Sequence, residues 1–84
     1  MIDAKQAIVI SRGKALELLD EPGSSLEEIE QETYHGHDVW SITLGHPKKG
    51  VTYALGIGPP LEYKRFLIDV ETGALLAMKI RDVP

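Results

Sequence analysis

Three histidines and a neighbouring aspartate are the side chains of this 84-residue chain best suited to metal chemistry. His35, His37 and Asp38 lie close together, and His46 follows in the next polar segment. Two imidazoles and a carboxylate form a ligand set that zinc or nickel accepts. The same residue types, with Gly36 between them, also make a polar turn, which both histidines would have to leave to converge on one ion. A small metal-binding protein using His35 and His37 is therefore an alternative prediction, and no cofactor is expected.

Serine hydroxyls and one glycine-rich segment are the other groups that catalysis or phosphate binding would use. The Gly-x-Ser-x-Gly elbow of hydrolases is absent around all four serines, which are Ser11, Ser24, Ser25 and Ser41. The segment 56–60, Gly-Ile-Gly-Pro-Pro, lacks the Gly-Lys-Ser/Thr sequence and the following helix that hold a phosphate. Cysteine is absent, so there is no thiol nucleophile. A short chain leaves little room for a concave, water-excluding site, and the sequence predicts that the protein is not an enzyme.

The composition indicates one small folded domain over residues 1–84. The chain is 43% hydrophobic and 26% charged, as globular proteins are. Its formal net charge is −4, and its longest charged run is acidic, so we expect no nucleic-acid partner, which would need a basic stripe. No apolar run is long enough for a membrane span or a signal-peptide core, so we expect no membrane insertion. The protein is therefore expected either to stay in the cytoplasm or to be a trimmed piece of a longer protein, and the sequence does not separate these two alternatives.

The first element is predicted to be a helix over about residues 3–19. Asp3 with Gln6 forms a capping box, and the segment 22–25, Pro-Gly-Ser-Ser, ends the helix. One apolar stripe of mostly small residues is expected to face a sheet: Ala4, Ala7, Ile8, Ser11, Ala15, Leu18 and Leu19. A second stripe, Ile2, Val9 and Leu16, recurs every seven residues on another side and indicates a further contact. A broad core face with basic side chains at its edge would also explain the second stripe.

Period-two patterns after the helix predict strands over about 27–34, 38–45, 51–57, 63–70 and 74–81. The first reads as an edge strand protected by glutamates. The inward face is expected to hold Trp40, Ile42, Leu44, Phe66, Ile68, Leu76, Met78 and Ile80. Asp69 and Gly73 predict a tight turn between the last two strands, because aspartate bonds turn amides and glycine accepts a positive φ. The predicted fold is α+β, with one N-terminal helix on one face of a curled antiparallel sheet of about four strands, and 51–57 as an optional strand.

Two stretches, Val39–Ile42 and Leu67–Leu75, together with this order of elements, resemble the PepSY-like domains. These are small α+β modules found in the propeptides of secreted metallopeptidases and in bacterial envelope and sporulation proteins. The resemblance implies a non-catalytic binding or inhibitory module and assigns no catalytic residue. The chain departs from the family in its longer segment 46–61 and in showing no neighbouring catalytic or transmembrane domain.

Surplus apolar surface leads to the functional prediction, which is protein binding. The predicted contact residues are Val9 and Leu16 on the helix and Tyr53, Leu55, Tyr63 and Leu67 on the sheet face away from it. A homodimer is one way to bury them. The alternative is a bacterial immunity or antitoxin-like protein that blocks a toxin through its acidic surface, since some of those proteins have a similar layout. Trp40 is expected in the core.

Overall fold

The structure is a computed structural model that describes residues 1–20, 24–47 and 61–81. One helix is followed by four strands: α1 (Ala4–Leu19), β1 (Ser25–Tyr34), β2 (His37–Pro47), β3 (Leu61–Asp69) and β4 (Leu75–Arg81). The strands form one antiparallel sheet in the order β1-β2-β3-β4. The α+β fold predicted from the sequence is confirmed. The optional strand at 51–57 lies outside the described residues. No helix in the described ranges combines the length and apolar character needed to cross a membrane.

Both ends of α1 are closed by local hydrogen bonds. The Gln6 amide donates to the Asp3 carboxylate at 2.8 Å, and the Asp3 amide donates to the Gln6 side chain at 2.8 Å, which completes the predicted capping box. At the other end Asp20 adopts the left-handed conformation, with φ 53°, and its amide donates to the Leu16 carbonyl at 3.1 Å. These bonds fix the bounds of the helix close to those predicted.

Two tight turns set the register of the sheet. His35 and Gly36 join β1 to β2 with φ values of 48° and 80°, as a two-residue hairpin turn requires. In the turn between β3 and β4, the Asp69 carboxylate accepts the Glu71 amide at 2.8 Å, and Gly73 has φ 77°. The roles predicted for Asp69 and Gly73 are therefore confirmed.

The core lies between α1 and the two central strands. Small residues on the helix allow close approach, and the fully buried cluster is Ala7, Ala15, Ile42, Leu44, Phe66 and Ile68. Trp40 packs against this cluster, as expected for a core residue, and its indole donates to the Ile2 carbonyl at 3.1 Å. The Ile2 amide donates to the Val70 carbonyl at 2.8 Å. The chain before the helix is thereby tied to the sheet.

Four residues predicted to face inward are exposed: Leu18, Leu76, Met78 and Ile80. Met78 and Ile80 lie on the helix side of the sheet, but on its edge strand, and they do not reach the core. Leu18 is 54% exposed, because the packed row of α1 runs at four-residue intervals through Ala15 to Leu19, and Leu18 lies off it. On β4, the register shifts so that Ile68 pairs with Leu75 while Leu67 pairs with Ala77. This bulge places Leu75 against the core and leaves Leu76 exposed.

Several strand bounds also differ from the predicted ones. β2 continues to Pro47, two residues past the predicted end at 45, because His46 and Pro47 still pair with β3. Proline fits there because it stands at the strand end, past the last pair with β1.

The sheet curls so that its edges approach each other on the face away from α1, which we call the far face. Arg65 on β3 reaches across β2 to Glu32 on β1, with 3.8 Å between Nη1 and Oε1. Lys79 on one edge strand lies over the ring of Tyr34 on the other, 5.1 Å from its centroid. Residues at the centre of the far face are buried: Val39, Ser41, Thr43 and Leu67.

Candidate functional site

The side of α1 that points away from the sheet is the first candidate surface. Val9 is 65% exposed and Leu16 is 52% exposed, although both are aliphatic. Three further exposed residues share this side of the helix, and we call the five together the outer face of α1: Lys5, Val9, Arg12, Gly13 and Leu16. The predicted second stripe therefore exists as accessible apolar surface, except that Ile2 turns inward and packs against the core.

A shallow groove of about 440 Å³ lies along the N-terminal half of this face. Three aliphatic and three polar residues line it, and most of the lining surface is apolar: Ile2, Asp3, Lys5, Gln6, Val9 and Ile10. A Cβ at Gly73 would lie 3.3 Å from Ile10 and 3.6 Å from Ile2, so both isoleucines pack directly against that turn. The groove thus has a firmly held wall and is wide enough to receive an aliphatic side chain.

Gly13 lies in the middle of the outer face, and no contact with the described residues requires a glycine there. A Cβ built on it meets nothing within 4 Å, and its φ is not positive. Glycine inside a helix costs roughly 1 kcal/mol relative to alanine. The structure therefore shows space above the helix backbone between Val9 and Leu16, and no described residue fills that space.

The far face offers less surface than the sequence indicated. Leu67 is fully buried, and Tyr63 is half-buried beside Gly45 in the pairing of β2 with β3. The other two residues predicted for this face, Tyr53 and Leu55, lie outside the described residues. In this conformation Leu67 has no accessible surface to offer a partner, so the outer face of α1 is the better defined of the two predicted contact surfaces.

The histidines do not form a metal centre in the described part of the chain. His46 lies at the end of β2, roughly 30 Å along the strand from His37 at its start, so it cannot join the other two. His37 instead approaches Asp69, with 3.4 Å between Nδ1 and Oδ2, and His35 stacks edge-on with Tyr34. Among the described residues no three His, Asp or Glu side chains are placed to hold an ion.

The serine hydroxyls are scattered between unrelated environments. Ser11 is fully buried between α1 and the sheet, and Ser41 is buried on the far face. Ser25 donates to Glu27 at 2.8 Å near the start of β1. The exposed histidines, by contrast, lie at the turn between β1 and β2.

Two features of the surface were missed in the sequence. The first is the groove, which forms because the chain before α1 folds back and Ile2 packs against the sheet. The second is the exposed edge of β4, where Met78 is 38% and Ile80 is 71% exposed. The absence of acidic residues between Leu75 and Arg81 could have indicated that this edge is unlike β1.

With this geometry established, comparisons with known proteins give no family assignment. No protein-family model matches the chain, and neither a curated protein nor a solved structure matches it significantly.

Proposed function

We propose that this chain is a non-enzymatic protein-binding domain that associates with a second copy of itself through the outer face of α1. The observation that carries the proposal is the exposure of Val9 and Leu16 on a helix that packs its other side on the sheet through Ala7, Ser11 and Ala15. Exposed aliphatic side chains that recur along one helix face are typical of helix–helix contact.

The spacing on the outer face is self-complementary. When two copies of α1 cross antiparallel about a two-fold axis, Val9 of one copy lies opposite Leu16 of the second copy. The groove beside Val9 then receives that leucine. The same alignment places Lys5 opposite Asp20 of the second copy. A cation therefore faces a carboxylate at each end of the contact between the two helices.

Gly13 has a part in this arrangement. The antiparallel alignment places Arg12 of one copy over Gly13 of the other, where the structure leaves open space. A long arginine stem packs well on an exposed helix backbone while its guanidinium stays in water. The cost of glycine in the helix is thereby offset by closer approach of the two helices.

The absence of catalysis is part of the proposal and is supported by the separation of the reactive groups. Ser11 is enclosed in the core, whereas His35 and His37 are exposed at a turn. The resemblance to PepSY-like domains, which implies a binding or inhibitory role, is also a proposal, and it agrees with a helix followed by antiparallel strands.

Sedimentation equilibrium tests the proposal, with Leu16→Glu as the main variant. A single helix pair is smaller than a standard interface of about 1,600 Å², so we expect weak association and a need for concentrations up to about 1 mM. Wild-type protein should shift towards twice the chain mass, and Leu16→Glu should remain monomeric because a buried unpaired carboxylate is costly.

The matched control is Leu18→Glu, because Leu18 is an equally exposed leucine of the same helix that lies off the outer face. This control should associate like wild type. A monomeric wild type at every concentration, or equal effects of the two substitutions, would show that the outer face is not a self-association surface.

A further inference from the structure

We propose that the outer edge of β4 binds an extended segment of a partner protein in which aliphatic and acidic residues alternate. This inference is independent of self-association through α1. It starts from the difference between the two sheet edges. Among the described strands neither edge has a further partner, but β1 carries four glutamates, Glu27, Glu28, Glu30 and Glu32, whereas β4 carries no acidic residue. Charged side chains protect an edge from pairing with another strand, so β4 is the edge open to strand addition.

The helix side of β4 is apolar and accessible. Met78 pairs with Phe66, and Ile80 pairs with Lys64, which places both on the side of the sheet that α1 covers only at its centre. Met78 is 38% and Ile80 is 71% exposed. A strand added at this edge would place every second side chain beside them. Those positions of the partner are therefore expected to be aliphatic.

The far side of β4 is cationic. Lys79 pairs directly with Arg65 on β3, so two positive side chains are neighbours across the strands. Arg65 is already matched by Glu32, with 3.8 Å between their charged atoms, which shows that a carboxylate from a strand fits this surface. Among the described residues, Lys79 contacts the Tyr34 ring, 5.1 Å away, and no carboxylate. A carboxylate opposite Lys79 would form a charge-assisted hydrogen bond, a stronger contact than an exposed cation–π pair.

A second copy of β4 is a poor occupant of this edge. Two β4 strands would bring two copies of Lys79 onto the same side of the joined edges, and β4 supplies no carboxylate to match them. Like charges on neighbouring strands are destabilising. A segment with acidic residues on one side and aliphatic residues on the other satisfies both sides of β4, and this charge complementarity assigns the edge to a different chain.

An NMR titration with short peptides tests the proposal. The first probe is a capped seven-residue peptide that alternates valine and glutamate, matched to the length of β4. The second has the same composition with the glutamates grouped at one end, and the third has lysine in place of glutamate. All titrations use the Leu16→Glu protein, provided it is folded, or the wild type below its association range, so that self-association does not contribute. We expect the alternating acidic peptide alone to bind, with amide shifts concentrated in β4.

Charge reversal at the edge makes the test specific. Lys79→Glu should weaken binding of the acidic peptide by roughly tenfold and favour the lysine peptide, as expected when one charge-assisted contact is lost. Ile80→Ser should also weaken binding, whereas the control Glu30→Lys on β1 should not. Amide shifts absent from β4, equal binding of the grouped peptide, or no effect of Lys79→Glu would overturn the proposal. Larger assemblies of the Leu16→Glu protein that depend on β4 would also overturn it, because they would assign the edge to another copy of this chain.

Discussion

The inner and outer faces of α1 differ in a way that separates folding from binding. The inner face is built from small residues, Ala7, Ser11 and Ala15, and all three are fully buried against the sheet. The outer face carries larger aliphatic residues, Val9 and Leu16, and both are more than half exposed. Ordinary burial would place the larger aliphatic side chains inside. Small inner residues let the helix approach the sheet, and the larger outer ones are left for contact with another chain.

The largest expected effect comes from enlarging the inner face. Ala7→Leu should lower the free energy of unfolding by roughly 1–3 kcal/mol, because a fully buried alanine leaves no room for three further carbon atoms. Val9→Leu, on the exposed face, should change it by less than about 0.5 kcal/mol. Urea unfolding of both variants measures the difference. Equal losses would mean that the two faces are packed alike.

Local chemistry explains which parts of the fold could be predicted. The capping box of Asp3 and Gln6 and the turn of Asp69 and Gly73 depend on hydrogen bonds between near neighbours, and the sequence contains both partners. The exposed stripe through Val9 and Leu16 depends only on helical periodicity.

What the sequence left undetermined depends on contacts between distant parts of the chain. The bulge that brings Leu75 inward depends on register with β3, and no pattern within β4 reveals it. The separation of His46 from the other histidines depends on how far β2 extends. Leu67 is fully buried on the far face, and alternation along β3 places it on that face without showing whether the face is covered.

Removing a buried hydroxyl from the inner face should stabilise the protein. The Ser11 side chain is fully buried, and its oxygen has no hydrogen-bond partner among the described residues. Ser11→Ala should raise the free energy of unfolding by about 1 kcal/mol, since an unsatisfied buried polar group is removed at little cost in packing. Ser25→Ala is the control, because Ser25 donates to Glu27 at 2.8 Å and should gain nothing. Destabilisation by Ser11→Ala would indicate that the hydroxyl has a partner.

Gly13→Ala should affect stability and association in opposite directions. In the monomeric Leu16→Glu background it should raise the free energy of unfolding by roughly 1 kcal/mol, because alanine favours the helix and the added Cβ meets nothing. In the otherwise wild-type chain it should weaken dimerisation, since the Cβ occupies the space assigned to Arg12 of the second copy. Thermal unfolding and sedimentation equilibrium report the two effects separately. Stronger dimerisation would place the helix crossing away from Gly13.

The smallest expected effect concerns the ends of the outer face. Lys5→Met should weaken the dimer by roughly 0.2–1 kcal/mol for each of the two symmetric contacts with Asp20 of the second copy, because exposed ion pairs contribute little. Wild-type association should weaken as salt is added, and Lys5→Met should lose part of that dependence. Lys14→Met is the matched control, because Lys14 pairs with Glu17 of its own helix at 3.7 Å and lies off the outer face. If both variants show the same salt dependence as wild type, the helices do not cross in the antiparallel alignment, and the apolar contact through Val9 and Leu16 must use another geometry.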